Sequence, residues 1–151
     1  MIVSLTQTDG SMHSVDFSDL LQKKSYTVLY FYPKDNTSGC TIEAQQFTQL
    51  AEAFDAYGVQ IVGVSKDSHK SHCWFIEKHW LTIPLISDPE WVLHKQFGAV
   101  GEKSMYGKKY IGTIRSTFLL HASWDIVHQW LKVQATWHAQ TVLDYITTHL
   151  S

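Results

Sequence analysis

Two cysteines are all that this 151-residue chain contains, too few for a disulfide-stapled secreted scaffold. Prolines number three and glycines eight, so no Pro- or Gly-rich linker divides the sequence. With no internal repeat either, a single domain over residues 1–151 is expected. No apolar run approaches the ~18 residues that a membrane-spanning helix requires. The first residues, Met1-Ile2-Val3-Ser4-Leu5-Thr6-Gln7, lack the basic start and long apolar core of a secretion signal, so a cytoplasmic location is expected. Basic clusters are missing as well. The net charge is −2 and the basic residues are scattered apart from Lys108-Lys109, which gives no electrostatic reason to expect nucleic acid or an acidic membrane as partner. A Cys-x-x-Cys pair is also absent, which removes a thioredoxin-type disulfide reductase.

What is present is globular: 44% hydrophobic, 13% aromatic and 17% charged residues, with enough length to bury roughly two thirds of the unfolded surface. Met1–Gln7 and Met12–Phe17 alternate around Thr8-Asp9-Gly10-Ser11, predicting a β-hairpin. Tyr26–Tyr32 is a continuous β-branched and aromatic run, suited to a strand covered on both faces and stopped by Pro33. Ala44, Phe47, Leu50, Ala51 and Phe54 recur at helical steps, predicting a helix from about residue 41 to 57 that Gly58 closes. Val59–Ser65 reads as a second buried strand, and Asp67 or Ser68 caps a helix reaching Trp80. Pro84–Ser87 is a third strand, and Pro89 opens a short helix through Phe97. Ser116–His121 and Asp125–Val133 predict a hairpin, and Trp137–Leu150 a closing helix. This order implies an α/β thioredoxin-like fold, a mixed central β-sheet flanked by helices with an N-terminal β-hairpin extension.

Cys40 falls where a buried strand has ended, a polar loop has passed and a helix begins. Unpaired N–H groups and the positive end of the helix dipole stabilise a thiolate there. Gly39 leaves space beside the sulfur, and Thr37, one turn earlier, offers a hydroxyl that both donates and accepts. Position alone is equally compatible with a small apolar cysteine that serves only packing.

The longer segment Tyr30-Phe31-Tyr32-Pro33-Lys34-Asp35-Asn36-Thr37-Ser38-Gly39-Cys40-Thr41-Ile42-Glu43-Ala44 is more specific. It resembles the Pro-x-x-x-Thr-x-x-Cys motif of the peroxiredoxins, in the branch of the bacterioferritin comigratory proteins (peroxiredoxin Q). The likeness continues through Gly63–Ser68, Phe75–Lys78, Pro84–Asp88, Gly101–Lys108 and Arg115–Leu119, in order and over nearly the whole chain. The resemblance implies a thioredoxin-dependent peroxidase acting on hydrogen peroxide and alkyl hydroperoxides, without cofactor or metal, as a monomer or weak homodimer. Cys40 would attack the peroxide and become a sulfenic acid. Thr37 and the Cys40 N–H would hold the peroxide oxygens, Arg115 would lower the thiol pKa and bind the leaving oxygen, and Pro33 would shield the thiolate. Glu43 would aim Arg115, its alternative being an ordinary first-turn acid. Lys34, Asp35 and Asn36 read as solvated loop residues.

Many members carry a second cysteine five residues after the first; this chain has Gln45 there. Cys73 is then the candidate resolving cysteine, and its use would require local unwinding to bring the two Cα atoms within about 7 Å. Thioredoxin is the expected reductant if that disulfide forms; glutathione or glutaredoxin gains ground in a one-cysteine cycle. Ser38 replaces a family proline, which suggests a more flexible loop. His69, His72 and Cys73 have metal-ligand chemistry but no second cluster to complete a site. His72 reads instead as a packing or capping residue, and the tryptophans as core and interface. A redox sensor or relay using the same cysteine is the competing function.

Overall fold

The computed structural model describes residues 1–150. Seven strands form one sheet in the order β2-β1-β5-β4-β3-β8-β9. They are β1 (Ile2–Thr6), β2 (Met12–Asp16), β3 (Tyr26–Phe31), β4 (Val59–Ser65), β5 (Leu85–Ser87), β8 (Ser116–His121) and β9 (Ile126–Trp130). The strands β3, β4 and β5 run parallel; β1 and β8 pair antiparallel at either side of them. The expected N-terminal hairpin forms, and it joins the main sheet because β1 pairs with β5. A separate two-stranded ribbon, β6 (Val100–Met105) with β7 (Lys108–Thr113), was not anticipated as structure.

Strand alternation divides the core in two. Val28 and Tyr30 of β3 face a cluster built with α2 (Ser38–Ala56), α3 (His69–His79) and α5 (His138–His149); Leu29 and Phe31 face one built with α1 (Phe17–Leu21) and α4 (Val92–Phe97). A sheet covered on both sides explains why β3 and β4 are mostly apolar or β-branched without strict alternation. The short α1 was missed, and α4 starts after Pro89 rather than at it, with Trp91 as its cap in the left-handed region. Among the described residues no helix is long and apolar enough to cross a membrane.

Three of the tryptophans lie outside the core. Trp74, Trp80 and Trp137 are exposed by 57%, 86% and 71%, so they belong to the surface. Trp124 packs edge-on against Phe17 and donates its indole N–H to Ser18 Oγ at 2.9 Å, which fixes the β8–β9 turn against α1.

Gly63 lies opposite Tyr30 in the β3–β4 pairing. A Cβ there would meet Tyr30 Cζ and Oη at 2.9 Å and Leu85 Cδ2 at 2.8 Å. The Tyr30 ring is itself stacked on Phe47 at 4.7 Å and has nowhere to move. We therefore expect Gly63→Ala to cost about 1–3 kcal/mol of stability. A urea titration would read this as a lower midpoint with unchanged slope; an unchanged midpoint would refute the close-packing account.

Candidate active site

The loop after β3 carries the cysteine. Tyr32 continues the strand hydrogen bonding to Val64 O at 3.0 Å, and Thr37 is the N-cap of α2 in extended conformation. The helix starts at Ser38, earlier than expected, so Cys40 lies within its first turn. By helix geometry the N–H groups of Ser38, Gly39 and Cys40 have no acceptor within the helix. Ser38 occupies the first helical position, where proline fits without losing a hydrogen bond. The Thr37 hydroxyl donates to Lys34 O at 2.9 Å, which leaves its lone pairs to accept.

Asp35 is a correction. Expected in solvent, it is 4% exposed and tied on every side. Its carboxylate accepts from Tyr32 Oη at 2.6 Å, Ser71 Oγ at 2.8 Å and His72 Nδ1 at 2.7 Å, and its N–H donates to Asp67 at 2.8 Å. His72, fully buried, also reaches Ile86 O at 3.1 Å. This network fastens the cysteine loop to α3 and β5. Buried polar groups need such partners, but one aspartate among polar neighbours gives no sign of it in sequence.

Arg115 arrives from the segment before β8. Its N-terminal approach is fixed by Ile114 N to Ala99 O at 2.7 Å, and its own carbonyl accepts from Val133 N at 3.0 Å. Two residues earlier, Thr113 is held by His94 Nε2 at 2.9 Å, and His94 Nδ1 donates to Asp88 at 2.7 Å. The Arg115 fork divides: Nη2 donates to Cys40 Sγ at 3.2 Å and Nη1 to Glu43 Oε1 at 2.6 Å. Cys40 is 1% exposed and Glu43 is fully buried. Burial works against the Arg115 charge, but Glu43 and Cys40 outweigh it and raise the pKa. Burial likewise raises Glu43, to about 7, against the opposing pull of Arg115. The space beside Gly39 holds Arg115 Nη2 and Ala135 Cβ, at 3.4 Å and 3.7 Å from where a Cβ would sit. Both are ordinary contact distances, so Gly39 borders the guanidinium directly.

Tyr30, His138 and Lys103 complete the surroundings, and none had been singled out for the site. Tyr30 is buried, which raises its phenol well above its ordinary value, with Glu43 and Cys40 adding to the effect. His138 Nε2 meets Thr117 Oγ1 at 2.7 Å. Burial, then Arg115, lowers its pKa to about 4. Lys103, on β6, is lowered by burial and by Arg115.

Cys73 is not brought to Cys40 in this conformation. Its Sγ contacts Gly10 O at 3.4 Å and His69 Nε2 at 3.3 Å, on the β1 side of α3. Three steps along the sheet separate β1 from β3, roughly 14 Å at ~4.8 Å per strand. Burial and then Glu77 raise its thiol pKa. Gln45 instead lies 3.5 Å from His79 Nδ1. His69 turns to Thr6 Oγ1 at 2.8 Å while His72 turns inward, and among the described residues no group of three or more His, Cys, Asp or Glu is placed to hold a metal.

The family model described as AhpC/TSA matches residues 1–129. Peroxiredoxin Bcp of Xanthomonas campestris is 45% identical over 124 residues, 82% of this chain and 78% of that protein. A putative peroxiredoxin Bcp of Coxiella burnetii is 40% identical over 142 residues, 94% and 91% of the two chains. Among solved structures, peroxiredoxin Q of Xanthomonas campestris superposes with a TM-score of 0.87 at 39% identity, covering all of this chain and 92% of that one. The same score and coverage hold for the bacterioferritin comigratory protein of that organism, in trapped intermediate/ligand complexes bearing on its alkyl peroxide reduction activity.

His138 gives this arrangement a pH signature. Its folded pKa, about 4, lies below the ordinary 6.5, so its contribution to stability is present above pH 6.5 and is lost as pH falls towards 4. Glu43, raised to about 7 from 4.5, has the opposite sign over the same range, so the comparison must isolate the histidine. Wild type should lose about 3 kcal/mol relative to His138→Gln between pH 7 and 4. Parallel stability curves from urea titrations across that range would refute a buried neutral His138.

Proposed function

The chain belongs to the AhpC/TSA family, in its Bcp and peroxiredoxin Q branch, and is a thiol-dependent peroxidase; on that premise we propose that Cys40 is the sulfur that attacks hydrogen peroxide and alkyl hydroperoxides. The observation that carries this reading is one guanidinium within 3.2 Å of Cys40 Sγ, drawn from 75 residues away and braced by Glu43. Such a fork, which never loses its charge, suits a site where negative charge moves from sulfur to oxygen.

In the proposed step the sulfur lone pair forms an S–O bond as the O–O bond breaks, releasing water or an alcohol. Thr37, its own proton given to Lys34 O, accepts from the peroxide. The Cys40 N–H and Arg115 donate to the oxygens as charge develops. Pro33, half-buried beside the loop, shields the sulfur and needs no N–H there.

Restoring the cysteine requires a thiol. Cys73 faces Gly10 and His69, and Gln45 stands in the other resolving position, so we assign the attack on the sulfenic acid to a thiol from outside the chain. Thioredoxin, or glutaredoxin with glutathione, would supply it. Two free cysteines suit a reducing compartment such as the cytoplasm.

After one equivalent of peroxide, intact mass should show one added oxygen in both wild type and Cys73→Ser. Loss of two hydrogens in wild type alone would make Cys73 the resolving residue and overturn the external-thiol cycle. Separately, Arg115→Ala should slow peroxide reduction by about 10²–10³-fold while leaving the circular dichroism spectrum intact. Unchanged rates would remove Arg115 from the mechanism.

A further inference from the structure

We infer that Cys40 and Glu43 share a single proton across Arg115, so that the Glu43 carboxyl holds, in the resting site, the proton that the sulfur has given up. The inference rests on Cys40 being the attacking sulfur.

Charge balance is the starting point. One cation, Arg115, contacts two acids, Glu43 at 2.6 Å and Cys40 at 3.2 Å. With both acids ionised this trio carries a net negative charge, and with one proton retained it is neutral. Glu43 is fully buried and Cys40 nearly so, and an uncompensated charge out of water is costly.

The carboxyl's own contacts say where the proton can reside. An arginine that merely clamps a carboxylate commonly engages both oxygens. Here the fork is split, and Glu43 Oε2 has no hydrogen-bond partner among the described residues. The buried Tyr30 hydroxyl is also without one, and Glu43 is the charged group it feels most. A bare carboxylate oxygen in that position lacks compensation; a protonated one is neutral. The raised Glu43 pKa, about 7, agrees with the contacts.

The other groups facing the pair do not replace this proton. His138, from α5, is neutral near pH 7 because its pKa is about 4. Tyr30, from β3, is neutral because burial raises its phenol. Asp35, in the loop, is engaged by Tyr32, Ser71 and His72. Lys103, from β6, adds positive charge near Cys40 and Arg115, which does not choose between the two acids.

The cycle then balances. Cys40–SH and Glu43–COO⁻ become Cys40–S⁻ and Glu43–COOH. The thiolate attacks ROOH; the S–O bond forms, the O–O bond breaks, and the hydroperoxide's own proton passes to the leaving RO⁻, giving ROH and Cys40–SO⁻. Glu43–COOH returns its proton to the sulfenate, leaving Cys40–SOH and Glu43–COO⁻. The sharing is an equilibrium property and needs no direct path between the atoms. Glu43 acts through Arg115 and the field on the sulfur, as a positioning and proton-holding residue.

The test uses the ultraviolet absorbance of the thiolate, followed against pH without peroxide, in Cys73→Ser and in Cys73→Ser with Glu43→Gln. Glutamine keeps an oxygen for Arg115 Nη1 but cannot take the proton or the charge. Thiolate should form at the same pH in both proteins, because the neutral glutamine reproduces the protonated Glu43 beside which the sulfur ionises. A midpoint lower by about one pH unit or more in the Gln variant, as expected if Glu43 is an ionised carboxylate that only aims the arginine, or higher by as much, would overturn the inference. Infrared spectra of the unsubstituted protein supply a check that does not depend on how the variant folds. A buried carboxylic acid band present at pH 6 should fade as pH rises through about 7, and its absence at pH 6 would also overturn the inference. Peroxidase turnover in Cys40→Ser is a separate arm: retained turnover would refute the assignment of the attacking sulfur, whatever the titrations show.

Discussion

A single guanidinium in a dry pocket is the constraint around which the site is arranged. Arg115 has to lie against a sulfur that is 1% exposed and a carboxyl group with no exposure at all, and a cation in that place survives only if its partners are fixed. Most of the local structure answers to this requirement. The α2 helix supplies both acids one turn apart, Cys40 and Glu43, so that one fork spans them. The sheet supplies the reach: β3 delivers the cysteine loop, and its neighbour β8 begins directly after Arg115, with Phe31 opposite Ser116. Adjacent strands therefore meet at the site although the residues are far apart in sequence.

The arginine is also held from behind. His94, anchored by Asp88, reaches Thr113, and Val133 bonds the Arg115 carbonyl from the segment after β9. On the other flank the Asp35–His72 contact holds the cysteine loop to α3. Both devices are buried aspartate–histidine pairs at 2.7 Å. Removing one partner from either would strand a polar group in the core, a far larger penalty than losing a surface ion pair. Stability and site geometry are thus coupled here through the same few contacts.

The sheet was legible in the sequence because both faces are covered: Tyr26–Phe31 and Val59–Ser65 are mostly apolar or β-branched at consecutive positions, and that pattern needs no knowledge of partners. The β6–β7 ribbon was invisible for the converse reason. It carries Met105, Tyr106, Tyr110 and Ile111 in solvent, so no alternation between core and water marks it. Cys40, Thr37, Glu43 and Arg115 were legible through a motif, which records chemistry directly. Asp35, Tyr30 and His138 were not, because their roles follow from what long-range folding places beside them. A polar residue in a loop or a histidine at a helix start looks the same in sequence whether solvated or buried.

With Gln45 in place of a second cysteine on α2, the other thiol of the chain is Cys73 on α3. Phe75 packs towards Tyr32 and His79 towards Asn36, whereas Cys73 faces the turn at Gly10. Two residues along a helix is a rotation of about 200°, so Phe75 and Cys73 lie on nearly opposite sides, and the side that meets the cysteine loop is Phe75's. Turning Cys73 inward would expose Phe75, which is fully buried, and would break the His72–Asp35 contact that seats the loop. A disulfide within this chain would require giving up both. An outside thiol needs only the first turn of α2 to loosen, where helix ends are weakest, and that difference is the physical ground of the external-thiol cycle we propose.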